Sequence, residues 1–106
     1  MTMRPGEKRQ TAYALSDLFD VVAQHYEIKF TCRGCHRASI FVAAAVWALF
    51  ERKGWPDYLR DVPKRFRCRI CDRRNPVIEL VSEKATDTRL PLPSQDQWKR
   101  AQRRRR

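Results

Sequence analysis

The sequence predicts a small α+β domain that is stabilised by a bound metal ion. All four cysteines of the chain lie in two Cys-x-x-Cys pairs, Cys32/Cys35 and Cys68/Cys71. Segments with the periodicity of short helices and short strands lie before, between and after these pairs. About 70 of the 106 residues can pack into a core. A core of that size is marginal without a metal ion or another cross-link.

The segment before the first pair predicts one helix and one strand. Ser16 to Gln24 is interpreted as a short amphipathic helix, because Ser16 can cap it and apolar residues recur at helical spacing. These apolar residues are Leu15, Leu18, Phe19, Val22 and Tyr26. Tyr26 to Thr31 alternates apolar and polar side chains, which is typical of a half-buried strand, and leads into Cys32. Residues 1–10 are polar and charged, and we expect them to be flexible.

Between the pairs, the sequence predicts a helix from Ile40 to Lys53. Ser39 is a suitable N-cap, the segment is rich in alanine, and Gly54 stands where a left-handed C-cap is expected. Pro56 to Arg60 can form one further helical turn, which Pro63 would end.

Two further strands are predicted around the second pair, Arg65 to Arg69 before it and Val77 to Val81 after it. The expected domain, residues 11–83, thus has three short antiparallel strands with a helical insert between two cysteine turns. Over residues 84–106, eight basic residues face two acidic ones, and little besides Trp98 is apolar. We expect these residues to form a basic, disordered tail, entered through the stiff linker Leu90 to Pro93.

The cysteines favour one closed, tetrahedral zinc site with four thiolate ligands: Cys32, Cys35, Cys68 and Cys71. Other interpretations remain open from the sequence. Cys32 to His36 also matches the attachment motif of a c-type haem, although the N-terminus has no secretory signal. A rubredoxin-like iron site has similar spacing. Two disulfides or a thioredoxin-like redox pair would need an oxidising compartment or a βαβ context.

The order of strand, cysteine turn, helix, strand, cysteine turn and strand resembles the zinc-ribbon class. Leu15 to Leu18, Cys32 to His36 and Tyr58 to Cys71 look like segments of small bacterial zinc-ribbon proteins, most of them uncharacterised. This resemblance covers about residues 15–82. Asp72, like His36, follows the second cysteine of its pair, where glycine is frequent in the class, so this departure puts the turn geometry, rather than the identity of the metal, in question. The resemblance implies a role in transcription, translation or another nucleic-acid process.

Arginines near the second pair predict a phosphate-binding surface. Arg65, Arg67 and Arg69 alternate with apolar residues, so an extended strand would present all three on one face. The predicted contact residues are a basic strip, Lys64, Arg65, Arg67, Arg69, Arg73 and Arg74, and the tail residues Lys99, Arg100, Arg103, Arg104, Arg105 and Arg106. Arg33 and Arg37 flank the first pair. Two other roles are open: arginines can offset the formal charge of −2 on a zinc ion with four thiolates, and the tail can be a nonspecific basic extension.

The remaining residues favour a binding protein over an enzyme. The sequence has no Gly-rich phosphate loop, no serine nucleophile motif and no metal site with an open position. His25 and His36 are expected at the surface, because four thiolates complete the metal site. Trp47, Phe50 and Trp55 are expected in the core or over the metal site rather than stacked on bases.

Together, these features predict a cytoplasmic, non-enzymatic zinc protein that binds DNA or RNA mainly through the phosphate backbone, as an accessory factor in transcription or translation. The cytoplasmic location follows from reduced cysteines and from the lack of a secretory signal or of an apolar run near 20 residues. The alternative is an adaptor that docks on a protein or ribonucleoprotein complex through the apolar segment Ile40 to Phe50 and the basic tail.

Overall fold

The computed structural model describes residues 16–104. In chain order, its elements are α1 (Leu18–Ala23), β1 (Glu27–Thr31), β2 (Ala38–Phe41), α2 (Ala43–Lys53), a 3-10 helix (Val62–Arg65), β3 (Val77–Val81) and α3 (Gln95–Arg104). The small α+β class is therefore confirmed. Residues 1–10, which the sequence predicts to be flexible, lie outside the described residues, as do Arg105 and Arg106.

One antiparallel sheet, in the order β2-β1-β3, holds the first cysteine pair. The central strand β1 buries Ile28 and Phe30, as the alternating pattern predicts. In the register of the sheet, Phe30 lies opposite Ser39 of β2 and Ile78 of β3. Because β1 and β2 form a hairpin, residues 32–37 are its loop. The first Cys-x-x-Cys pair is therefore fixed by strand pairing on both sides.

The helix between the pairs begins later than the sequence predicts. Ala38–Phe41 forms β2, and α2 starts only at Ala43. Ile40 and Phe41 are good strand residues once β1 offers a pairing partner, and this pairing outweighs the helical preference of the alanines that follow. The Ala43 N–H, at the start of α2, donates a hydrogen bond to Oε1 of Glu27 in β1 over 2.8 Å. The predicted end of the helix is confirmed, because Gly54 is left-handed with φ 68°.

The predicted strand Arg65 to Arg69 is wrong. Val62–Arg65 is a 3-10 helix with Pro63 in its first turn, and only two residues separate it from the second cysteine turn. Arg67 forms a single β-bridge, with Arg74, across that turn. Pro63 favours helical structure here because its ring fixes φ near the helical value.

The helical turn predicted for Pro56 to Arg60 is also wrong, because helical structure in this region begins only with the 3-10 helix Val62–Arg65. Tyr58 instead forms an isolated bridge with Asp17, and Leu59 N–H donates to the Ser16 carbonyl over 3.0 Å. This segment therefore runs beside the start of α1. Helix α1 itself is capped by Asp17, whose carboxylate accepts the Asp20 N–H over 2.9 Å, and not by Ser16.

Helix α2 lies at the centre of the core. Trp47 and Phe50 are each 1% exposed, which confirms their expected place in the core. Helix α1 packs against α2 and buries Leu18 and Val21 completely. None of the helices within residues 16–104 combines the length and the apolar character that crossing a membrane requires.

Part of the C-terminal segment forms a helix, whereas the sequence predicts a disordered tail over residues 84–106. Thr86 and Asp87 donate their N–H groups to the Ile40 carbonyl over 2.8 and 3.0 Å, so the chain follows the free edge of β2. Residues 95–104 then form α3, which buries Ala101 and packs Trp98 against the core. Disorder is predicted from the high charge of this segment. The helix forms because Trp98 and Ala101, three residues apart, give it an apolar face that packs on the domain.

Candidate metal centre

The two cysteine turns have the same backbone arrangement. In each, the first cysteine N–H donates to the carbonyl five residues later, and the residue after the second cysteine donates back to the first cysteine carbonyl. The donor and acceptor pairs are Cys32 to Arg37 (2.8 Å), His36 to Cys32 (3.1 Å), Cys68 to Arg73 (2.8 Å) and Asp72 to Cys68 (2.9 Å). We call these two loops, residues 32–37 and 68–73, the knuckles.

The residue after the second cysteine is left-handed in both knuckles. His36 has φ 63° and Asp72 has φ 64°, although this backbone region normally favours glycine. The left-handed turn that glycine favours is thus formed here by two residues that have a Cβ. Such a conformation costs roughly 1–2 kcal/mol per residue, so the rest of each loop must hold it in place.

The knuckles bring the four thiols together. The four Sγ atoms of Cys32, Cys35, Cys68 and Cys71 all lie within 4.8 Å of one another. Across the knuckles, Cys32 Sγ lies 3.4 Å from Cys71 Sγ, and Cys35 Sγ lies 3.6 Å from Cys68 Sγ. A disulfide would require about 2.0 Å, and all four cysteines are free.

This donor set fits a tetrahedral metal ion. Sulfur atoms bound to zinc at about 2.3 Å in a tetrahedron are separated by about 3.8 Å, close to the distances across the knuckles. Zinc prefers such a set of four thiolates in structural sites, and tetrahedral iron shares it. A c-type haem would use one Cys-x-x-Cys pair alone, whereas here the two pairs face each other. Among the described residues no histidine joins the cluster, and His25 and His36 are exposed.

Backbone amides prepare the first cysteine of each pair to act as a thiolate. The Cys35 and Gly34 N–H groups, 3.5 and 3.3 Å from Cys32 Sγ, lower the pKa of Cys32 to about 6. The N–H groups of Cys71 and Ile70 likewise lower the pKa of Cys68. Hydrogen bonds to the charged form of a group favour that form.

The second cysteine of the later knuckle shows the opposite shift. The Arg73 N–H lowers the pKa of Cys71, but the neighbouring thiols, that of Cys32 above all, and desolvation together outweigh it, and the pKa rises to about 11. Four thiols this close cannot all ionise unless a cation balances their charge. The arrangement therefore requires a metal ion for the fully deprotonated state.

Gly34 lies where the two knuckles meet. A Cβ at this position would lie 3.1 Å from Arg73 Cδ and 3.4 Å from Cys71 Sγ. A contact of 3.1 Å is tighter than most Cβ contacts, so a larger residue at position 34 would require the exposed Arg73 side chain to shift by a few tenths of an ångström. Glycine thus leaves room for the Arg73 side chain where the two knuckles meet.

Basic residues surround the knuckles, and all are exposed. We define the knuckle surface as Arg33, Arg37, Lys64, Arg65, Arg67, Arg69, Arg73 and Arg74. Two members form ion pairs with carboxylates: Lys64 with Asp61 (3.0 Å) and Arg67 with Asp72 (3.2 Å). Within residues 16–104, no carboxylate forms a salt bridge with any of the other six.

The predicted single row of Arg65, Arg67 and Arg69 does not form, because the segment is not a strand. Arg65 stacks on the Trp55 ring, 4.7 Å from its centroid. Arg67 lies at the β-bridge, and Arg69 belongs to the second knuckle. Arg67 and Arg69 nevertheless line one groove together, whereas Arg65 does not belong to its lining.

A groove of about 470 Å³ runs beside both knuckles, and sequence reasoning missed it. We call it the knuckle groove. Its lining includes three phenylalanines, Ile70 and four arginines: Phe30, Phe41, Phe66, Arg37, Arg67, Arg69 and Arg89. No local motif could indicate it, because these residues come from four separate segments: β1, the stretch from Arg37 into β2, residues 66–70 and the segment after β3.

The basic residues of the tail are carried by α3. Lys99, Arg100, Arg103 and Arg104 are exposed on this helix, and Arg104 Nη2 lies 3.3 Å from Oε1 of Glu51 in α2.

Comparison with protein-family models, with curated protein sequences and with solved structures finds no match for this chain.

Proposed function

We propose that the chain is a zinc-stabilised domain that binds nucleic acid through phosphate contacts, and that its role is binding rather than catalysis. The observation that supports this proposal is the knuckle surface, eight exposed basic residues grouped around one metal centre. Exposed clusters of arginine and lysine are the electrostatic footprint of proteins that bind phosphate backbones.

Charge compensation at the metal centre accounts for only part of this surface. A zinc ion with four thiolates carries a formal charge of −2. Six members of the knuckle surface lack a carboxylate partner among the described residues. The positive charge in excess of that −2 favours a polyanionic partner. Arginine is well suited to phosphate because its planar guanidinium group can donate two parallel hydrogen bonds.

Helix α3 supplies a second basic group. Its exposed residues Lys99, Arg100 and Arg103 are held at a fixed place by the packing of Trp98, so α3 acts as a docked extension of the domain rather than as a loose tether. Arg105 and Arg106 would add charge in sequence beyond it. In this proposal both groups contact phosphates, and neither reads bases.

The adaptor alternative has less support. It requires an apolar face on the Ile40 to Phe50 segment, but Ile40 belongs to β2, and Trp47 and Phe50 are buried. The exposed part of α2 carries charged residues such as Glu51 and Arg52. This helix is thus better described as the centre of the core.

The test is binding of zinc-loaded protein to duplex DNA, single-stranded DNA and RNA of equal length across a salt series. We expect log affinity to fall linearly with log salt, with a slope of about −0.9 for each duplex phosphate neutralised. If the protein binds none of these nucleic acids even at low salt, the proposal is wrong. The basic residues would then serve solubility or compensate the metal centre.

A further inference from the structure

The wall of the knuckle groove contains an aromatic cluster. Phe30 lies between Phe66, at a centroid distance of 4.4 Å, and Phe41, at 5.2 Å and perpendicular to it. Phe41 and Phe66 are only half-buried. Ile70, which also lines the groove, is 67% exposed. The groove therefore offers an apolar surface that the domain itself leaves partly uncovered.

Arginines complete the lining. Arg37 and Arg69 line the groove without forming a salt bridge to any carboxylate of residues 16–104. The acidic side chain in the lining, Asp87, is only 8% exposed and is neutralised by Arg89, which contacts both of its carboxylate oxygens. Arg37 and Arg69 thus place two cations without a carboxylate partner among residues 16–104 beside the apolar wall, and Cys32 and Cys68 of the metal centre lie in the same lining.

The aromatic wall and the arginines of the knuckle groove together fit one class of ligand better than others. A flat aromatic ring linked through a sugar to a phosphate matches an aromatic wall with cations beside it, whereas a metabolite without a ring would leave the phenylalanines exposed. The volume of about 470 Å³ falls within the usual range for small-ligand sites, roughly 300–1000 Å³. A base in a duplex is stacked and paired and cannot enter such a groove, but a base of a single strand can.

We propose that the knuckle groove binds an unpaired base of single-stranded nucleic acid, against Phe41, Phe66 and Ile70, while Arg37 and Arg69 contact the adjoining phosphates. This inference rests on the proposed function, and it adds that single-stranded nucleic acid is the preferred ligand. Stacking on apolar and aromatic side chains tolerates any base, so little sequence preference is expected.

The experiment measures fluorescence anisotropy with labelled oligothymidylate and with an abasic strand of the same length, which keeps the phosphates but lacks the bases. We expect the strand with bases to bind about tenfold more tightly. A parallel arm with oligouridylate distinguishes RNA from DNA as the source of the base. Equal affinities for the strands with and without bases would overturn the groove proposal and leave the phosphate-binding function intact.

Ile70→Ser tests the groove directly. Because this side chain is exposed, the variant should remain folded and zinc-loaded. We expect it to lose several-fold affinity for oligothymidylate and none for the abasic strand. The matched control is Leu92→Ser, since Leu92 is 66% exposed and lies outside the groove lining. Equal effects of the two substitutions would contradict the proposal, and absence of binding to every strand would defeat the proposed function itself.

Discussion

Trp98 of α3 stacks on Phe19 of α1, with ring centroids 4.7 Å apart and an angle of 20° between the ring planes. The same indole meets Trp47 of α2 edge to face, at 5.1 Å. One side chain thus joins the basic C-terminal helix to both core helices. This contact explains why a segment so rich in arginine packs on the domain.

Trp98→Ala should therefore detach α3. We expect the free energy of unfolding to fall by about 2 kcal/mol, less than for a fully buried tryptophan because Trp98 is half-buried. Denaturant unfolding at saturating zinc measures the loss. Trypsin should also cleave at Lys99 and Arg100 much faster in the variant. Trp98→Phe, which keeps a ring, is the control, and unchanged trypsin resistance of Trp98→Ala would contradict the docking.

Removal of zinc should unfold both knuckles, because metal binding and folding are coupled in small metal-stabilised domains. The amides of Cys32 and Cys68, each bonded to a carbonyl of its own knuckle, should be protected from hydrogen exchange with zinc. They should lose that protection after chelation. Amides of α2, such as Val46, provide an internal comparison within the core. Knuckle amides that stay protected without metal would show that the loops fold independently.

The left-handed backbone at His36 predicts how substitutions at this position change the free energy of unfolding. His36→Gly should stabilise the zinc-loaded protein by about 0.5 kcal/mol, since glycine relieves the left-handed conformation but loses more entropy on folding. His36→Val should destabilise it by about 1–2 kcal/mol, because a β-branched residue is poorly accommodated there. Denaturant midpoints at fixed zinc concentration measure both effects. A valine variant as stable as the glycine variant would rule out backbone strain at this position.

Neutralising the knuckle surface should weaken nucleic-acid binding more than neutralising the same charge elsewhere. Arg69→Ser, Arg73→Ser and Arg74→Ser together should flatten the salt dependence by up to about three units of slope, one for each lost phosphate contact. The matched control replaces Arg52, Lys53 and Arg60 by serine, which removes the same charge outside this surface. If both triple variants bind alike, net charge alone drives binding.

The sequence predicted best those features that short-range chemistry determines. The cysteine spacing anticipated the sulfur cluster, and Gly54 anticipated the end of α2, because a turn or a cap depends on a few neighbouring residues. The pattern of Val77 to Val81 likewise anticipated β3.

Most of the errors arose where partners distant in sequence decide the structure. Ile40 and Phe41 became strand because β1 pairs with them. The false strand at Arg65 to Arg69 is an exception, because Pro63, only two residues before Arg65, favours the 3-10 helix. Helix α3 depends on the contact of Trp98 with Phe19, about 80 residues earlier in the chain, which no local pattern reveals. The knuckle groove was missed for the same reason, since its lining comes from four separate segments.

The central claim is that the two knuckles share one zinc ion. The most direct measurement is the metal content of purified protein together with X-ray absorption at the zinc edge. We predict one zinc per chain with four sulfur ligands at about 2.3 Å. Iron in place of zinc, nitrogen or oxygen ligands in the zinc shell, or a folded protein that carries no metal would contradict the account.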